Sequence, residues 1–335
     1  MRFFTDHPSH TQSLLPPGLT WAPVPDATLT AGEQAAWQLL APGRRPHLAE
    51  SSGGQYAETA PSRSLPGHAV PAPDAGGQPT PSGRSGPVWQ RCAFLIDDAP
   101  GSQFDALNAG ARTADEWPPH IVAVALTGRQ FHGQRGRPWQ ALCGNLHFTA
   151  QYAVDLDAHR VTAGLTALPA VAVVQAIQAL APQARLRIKW VNDILHEGEK
   201  VAGVITATQA QETRINRLTI GIGINVRNRP QLTTAERSIP AGTLSALQLD
   251  LGALLYALLA TLDEGVQQLT ADAGVALVAY YREYADFIGR RVVLWPEEEA
   301  ANQPLAVGRV IAMNDDLALC LEGMTSPIRK GRMGY

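Results

Sequence analysis

What this 335-residue sequence lacks narrows its class. It has three cysteines, Cys92, Cys143 and Cys320, odd in number and widely spaced. That pattern excludes a disulfide framework and a Cys-x-x-Cys metal site, and it fits a reducing compartment. No window approaches the ~18 uninterrupted apolar residues of a spanning helix, and the alanine- and leucine-rich run at 253–262 reads as a core helix. Residues 1–8 contain no apolar run of signal-peptide kind. A formal net charge of −3 gives no global pull toward nucleic acid or an anionic membrane. A cytoplasmic protein is expected, with no membrane partner and with nucleic acid not expected as a partner.

Large apolar side chains are also nearly missing from 51–87, which is dense in Gly, Pro and Ser. Such a stretch cannot bury enough surface to offset its ordering entropy and is read as a flexible linker. The preceding residues, 1–50, offer one helix over 31–40, with Thr30 as N-cap and Pro42 stopping it. A single helix makes no helix-turn-helix module, so 1–50 stands as an accessory segment of unknown role.

From residue 88 the texture changes. Short β-prone runs lie at 91–96, 121–126 and 145–152, and helical spacing at 104–114 and 165–180. The runs 186–190, 201–208 and 217–225, joined by tight turns, predict an antiparallel meander. Helices are expected at 249–269 and 274–284. The tail then returns to strands at 291–295, 306–313, 318–321 and 326–329, with hairpin turns at Asn314-Asp315-Asp316 and Glu322-Gly323: a small β-barrel-like cap.

Two segments carry the chemistry. Gly133-Gln134-Arg135-Gly136-Arg137-Pro138-Trp139 is a glycine-flexible loop that can surround an anion with backbone N–H groups and guanidinium forks. Arg187-Ile188-Lys189-Trp190-Val191-Asn192-Asp193 fixes a lysine at the end of a rigid apolar run. Lys200 and Gly203 follow, then Gly221-Ile222-Gly223-Ile224-Asn225. A strand alternating Gly with Ile can let a ligand lie against backbone, or can allow close packing of a helix on the sheet. His132 has no partner at metal-ligand spacing, so no protein metal site is proposed. Cys143 has no nearby histidine and is read as structural.

Taken in order, Gly133-x-Arg135-Gly136-Arg137-x-Trp139, Gly144-Asn145-Leu146, Lys189-Trp190-x-Asn192-Asp193, Lys200-x-x-Gly203 and Gly221-x-Gly223-Ile224-Asn225 resemble the biotin–protein ligase family. The resemblance covers roughly 90–335. It implies an α+β fold: a mixed sheet with helices over 88–286, related to the catalytic domain of class II aminoacyl-tRNA synthetases, and a small SH3-like C-terminal β-barrel over 287–335. It also implies ATP-dependent ligation of biotin, through biotinyl-5′-AMP, to a lysine of a biotin carboxyl carrier protein domain, with Mg2+ accompanying ATP and a homodimer left open. By the same resemblance Lys189 touches the biotin carboxylate and the α-phosphate, and Arg135 and Arg137 hold phosphates and close the loop. Ser102, Gln103, Gly133, Gln134, Gly136, Trp139, Asn192, Asp193, Lys200, Gly203, Gly221, Gly223 and Asn225 complete the expected site.

The loop departs from the family pattern. Phe131 stands where a glycine is usual, and His132 and Gln134 where arginines are usual. Ser102-Gln103-Phe104 replaces the usual Ser-Thr-Asn, and Val191 replaces a proline. Two alternatives follow: ligation of another acyl group such as lipoate or octanoate, and a non-catalytic biotin- or adenylate-binding relative.

Overall fold

In β4 (Cys92–Ala99), Ala93 and Leu95 face one way and Phe94 and Ile96 the other, and all four are buried. That is the pattern of a strand covered on both faces. The computed structural model describes residues 1–15, 19–20, 22–23, 29–50, 91–114, 116–231, 239–297 and 303–335; the linker expected at 51–87 lies outside them. In chain order the elements are β1 (Arg2–Thr5), α1 (Pro8–Thr11), β2 (Ala22–Pro23), α2 (Ala31–Leu40), β3 (His47–Glu50), β4, α3 (Gln103–Thr113), β5 (His120–Gly128), β6 (Leu146–Asp157) and α4 (Ala158–Leu180). Then follow β7 (Leu186–Lys189), β8 (Asp193–His196), β9 (Glu199–Gln211), β10 (Arg214–Ile224), α5 (Leu251–Asp272) and α6 (Val275–Glu283). The tail holds β11 (Arg291–Trp295), β12 (Ala306–Met313), β13 (Leu319–Leu321) and β14 (Arg332–Gly334).

Ten strands form one mixed sheet in the order β2-β3-β1-β4-β5-β6-β10-β9-β8-β7. β1, β4 and β5 run parallel, and from β5 to β7 every neighbour is antiparallel. One face packs on α4, α5 and α6; the other, around β1, β4 and β5, packs on α2 and α3 through Trp37, Leu40 and Leu107. Residues 1–50, expected as an accessory segment of unknown role, contribute three strands to this sheet, and α2 packs on it. The helix α2 starts where the Thr30 side chain accepts from Glu33 N and Glu33 reaches back to Thr30 N, a reciprocal cap. The helix expected at 165–180 begins earlier, at Ala158, behind an Asp157 cap. It is long and apolar enough to cross a membrane, but most of its apolar surface is buried inside the protein.

The expected meander is present with one strand more than the sequence indicated. The Asn192-Asp193 turn leads into β8, which pairs with β7 through Lys189↔Asp193. The C-terminal unit differs from the expected barrel: its four strands form an open sheet, β13-β12-β11-β14. The last strand is β14, and of the expected run at 326–329 only Ile328 pairs, in an isolated bridge to Leu319. The pleat explains this, since Met333 of β14 is buried in the small core, whereas Arg329 and Lys330 are exposed.

The two layers on the helical side are tied by a buried charge. Arg91 pairs with Asp263 of α5, which also accepts from the Tyr152 hydroxyl at 3.0 Å, and the Arg91 guanidinium stacks over the Tyr152 ring. Removing one partner of a buried pair strands the other. Asp263→Ala is therefore expected to destabilise the protein by about 3 kcal/mol, read as a lowered midpoint in urea denaturation.

Candidate functional site

One row of residues crosses five strands. His147 of β6 pairs with Gly223 of β10, Gly223 with Gly203 of β9, Gly203 with Asp193 of β8, and Asp193 with Lys189 of β7. Residues paired in this way share a face of the sheet. The row therefore has a basic end, a bare glycine middle and a histidine at the far end. The Trp139 indole fills the bare middle. A Cβ on Gly223 would come within 2.3 Å of its ring and one on Gly203 within 3.4 Å. Gly223 packs closely, but against the loop residue Trp139 rather than against a helix as the sequence suggested. A neighbouring row, Thr149–Gly221–Ile205, is covered by Phe104, which would lie 3.0 Å from a Cβ on Gly221.

Trp139 is anchored at both ends. Its Nε1–H donates to His147 Nδ1 at 3.2 Å, and Lys200 Nζ sits 5.9 Å from its ring centre. Burial lowers the His147 pKa to about 4, so the ring is neutral at neutral pH, with Nε2–H free to donate to the Leu142 carbonyl at 3.1 Å. The loop before Trp139 closes on itself: Gly133 N donates to Arg137 O at 2.8 Å and Trp139 N to Phe131 O at 2.9 Å. Arg135 and Gly136 take left-handed backbone, at φ 61° and 72°. His132 ties the loop to α3 through Asp105 Oδ2 at 2.7 Å. Its pKa is raised, first by its bond to the Gly133 carbonyl and then by Asp105, against the effect of burial.

At the basic end the charges do not balance. Asp193 is flanked by Lys200 Nζ at 2.7 Å and Lys189 Nζ at 3.7 Å, all three largely buried. Burial works against the charged form of Asp193, but Lys200 and Lys189 outweigh it and hold the carboxyl below its usual range. Burial depresses the Lys189 pKa; Asp193 opposes this, while Lys200 and Arg137 add to it. Three cations thus share one carboxylate. The lysines are notable in a chain that carries arginine nearly everywhere else: Lys189, Lys200 and Lys330 are its full complement.

These groups line a cavity of about 690 Å³. Ser102, Gly133, Gln134, Arg137, Trp139, Lys189, Asn192, Asp193, Lys200, Gly203, Gly221, Gly223 and Asn225 all border it. Three expected residues do not. Gln103 is buried behind Ser102, Gly136 lies outside the lining, and Arg135 turns away to an ion pair with Glu297 of the C-terminal unit. Ser102 also caps α3, accepting from Asp105 N. Asn192 is fixed to Val204 by its backbone and its amide. Asn225 Oδ1 is buried with no hydrogen-bond partner among the described residues. Asn145 has a supporting role: its side-chain oxygen accepts from Arg227 N and Asn228 N, and its amide donates to Asn228 O. Cys143, read as structural, is exposed.

Sequence reasoning did not single out Phe104, His147, Phe148 or Thr149, nor Trp295, Arg332 and Met333 of the small domain. Strand alternation after Asn145 could have flagged His147. The small-domain residues give no local signal, because only tertiary packing brings them there.

Residues 108–225 match the model of the Biotin/lipoate A/B protein ligase family. The bifunctional ligase/repressor BirA of Bacillus subtilis is 37% identical over 132 residues, covering 38% of this chain and 40% of that protein. The biotin–[acetyl-CoA-carboxylase] ligase of Paracoccus denitrificans is 34% identical over 117 residues, covering 34% of this chain and 48% of that protein. The chain thus spans less than half the length of these curated relatives. In fold it is similar to the biotin protein ligase from Aquifex aeolicus solved in complex with biotin and ATP. There the TM-score is 0.54 at 17% identity, over 72% of this chain and 97% of that one.

Two outcomes follow from this geometry. Gly223→Ala is expected to push Trp139 off the row, costing about 1–3 kcal/mol and changing the tryptophan emission. Because the Lys189 pKa is depressed, its charge is lost at lower pH than an ordinary lysine's. Binding of inorganic pyrophosphate, followed by calorimetry, should therefore weaken as pH rises through that lowered value, and Lys189→Arg should abolish the alkaline fall.

Proposed function

We propose that this chain, whose residues 108–225 match the Biotin/lipoate A/B protein ligase family, is an ATP-dependent biotin–protein ligase. The observation that carries the reading is the cluster of Lys189, Lys200 and Arg137 around a single carboxylate, Asp193, at one end of a cavity bordered by Trp139. A biotin carboxylate oxygen attacks the α-phosphorus of ATP, and the bond to the β-phosphate oxygen breaks, releasing pyrophosphate. An acceptor lysine amine then attacks the acyl carbon of the adenylate, loses a proton, and AMP leaves.

Two anions must approach in the first step, so the reaction needs excess positive charge that is already in place. Lys189, held at the end of β7, bridges the carboxylate and the α-phosphate. The negative charge that shifts onto the phosphoryl and leaving-group oxygens in the transition state is stabilised by the Lys189 ammonium, already in place. Arg137 faces the same space and meets the phosphate chain. Asn225 offers an unpartnered buried oxygen to a nucleotide or sugar hydroxyl. Trp139 and the closed loop exclude water from the mixed anhydride.

Mg2+ would neutralise phosphate charge here, and the donor set says how it is held. Asp193 is the one carboxylate bordering the cavity among the described residues, and two lysines already engage it. Mg2+ would therefore arrive on ATP, with phosphate and water ligands. The acceptor is proposed to be the biotin carboxyl carrier domain of a carboxylase, and the compartment the cytoplasm. Similarity to the Paracoccus ligase supports this acceptor.

Incubation with ATP, biotin and a carrier domain is expected to place biotin on the acceptor lysine, detected by mass spectrometry, with pyrophosphate released. Lipoate and octanoate run in parallel should give at most weak transfer; preference for either would reassign the acyl group. Lys189→Ala should lower adenylate formation by at least a hundredfold while the protein stays folded.

A further inference from the structure

A second cluster of chemistry-bearing side chains lies away from the cavity, where the N-terminal strand meets the core. His7 caps the start of the short α1 and His10 lies within its last turn, and Asp97 stands on β4 beside β1. The ligand atoms of these three residues all fall within 4.8 Å of one another. His10 Nδ1 lies 2.9 Å from Asp97 Oδ1, and the two imidazoles stack with ring centres 3.6 Å apart and planes 11° from parallel.

Asp97 differs from its neighbours. Asp6 is engaged by Arg44 and accepts from the Asp97 backbone N–H, and Asp98 pairs with Arg129. Asp97 instead faces an imidazole. Two imidazoles and one carboxylate thus bring three side chains of metal-ligating type together on two elements. The turn that presents them is rigid. Thr11 Oγ1 donates to the His7 carbonyl at 3.0 Å and to the buried Thr5 Oγ1 at 2.9 Å, and His7 N donates to Thr5 Oγ1 at 3.1 Å. Ser9 Oγ contacts His7 Nδ1 at 3.2 Å, which leaves Nε2 as the ring's open ligand position. These bonds hold the turn in place, and rotation of the stacked rings about their side-chain torsions brings their in-plane nitrogens onto one ion.

We propose that His7, His10 and Asp97 form a site for a borderline divalent transition metal, Zn2+ in the first instance, which clips the N-terminal strand to the core. Two imidazoles and one carboxylate suit Zn2+ and its first-row neighbours and disfavour Mg2+ and Ca2+, which require more oxygen donors. Water fills the remaining coordination. The clip joins β1 and β4, whose pairing extends over only four residues, Arg2–Thr5.

The test uses the full chain after chelator treatment. Equilibrium dialysis against Zn2+ is expected to show one tight equivalent in the parent protein, and Mg2+ none at the same concentration. His7→Ala leaves the His10–Asp97 pair in place, and Asp97→Asn removes the carboxylate; each should weaken this equivalent at least tenfold. Zn2+ should raise the thermal midpoint of the parent protein only. Substituted Co2+ should give visible ligand-field bands without a near-ultraviolet thiolate band. No tight equivalent in the parent, full retention by both variants, or a thiolate band tracing the metal to Cys92, Cys143 or Cys320 would each overturn the proposal. None of these readouts depends on ligase activity.

Discussion

Everything around the cavity depends on keeping excess positive charge out of water. Lys189 and Asp193 face each other across the outermost pair of strands, and Lys200 reaches the same carboxylate from the next strand. One carboxylate cannot neutralise two ammoniums and the nearby Arg137, so the empty site carries a standing demand for an anion. Burial depresses the Lys189 pKa first, and the charges of Lys200 and Arg137 add to that depression. A flexible surface lysine would relax into solvent and lose it. The sheet prevents this: Lys189 ends a strand whose neighbours Ile188 and Trp190 are buried, and the Trp190 indole donates to the Leu317 carbonyl of the small domain.

The glycine row connects that charge to the loop. A Cβ at 223 would lift Trp139, and with it the segment that carries Arg137, whereas one at 203 would crowd the Lys200 side chain. The glycines are thus as much a part of the loop as of the sheet. Their bareness lets an aromatic lie flat between the basic end and His147, and the neutral His147 accepts the indole N–H without bringing another charge. A protonated imidazole could not accept that bond, so burial of His147 fixes both its charge state and the orientation of Trp139.

Much of this was legible in the sequence because it is local. The glycine loop, the Lys189–Asp193 segment, the capping of α2 and the helical periodicity of α4 to α6 all lie within runs of residues whose spacing carries the signal. The row itself was not legible. It requires the registers of five strands, and pairing such as Gly223↔His147 joins residues far apart in the chain. The N-terminal strands were missed for a related reason. Arg2–Thr5 is four residues long, too short for periodicity to be read, and becomes a strand because β4 offers a free edge. β8 was hidden by its own beginning, since Asn192-Asp193 reads as a turn and the pairing of Asp193 with Lys189 shows only in three dimensions. The small C-terminal sheet was visible as strands, but its open arrangement depends on β14 pairing with β11 across the whole tail.

The two loop arginines, alike on the page, do different physical jobs. Arg137 stays on the cavity side, its Nε donating to the Gln134 carbonyl at 3.3 Å. Arg135 takes left-handed backbone, which turns its guanidinium outward to Glu297, just beyond β11. Neither group of that pair is deeply buried, so its contribution to stability is small. Its geometric consequence is larger: it ties the loop to the same unit that supplies Trp295, Arg332 and Met333 to the cavity rim. Loop closure and the seating of the small domain are therefore coupled through one exposed ion pair. The strong, buried charges define what the cavity attracts, and the weak exposed pair at its rim shapes how the loop and the small domain meet over it.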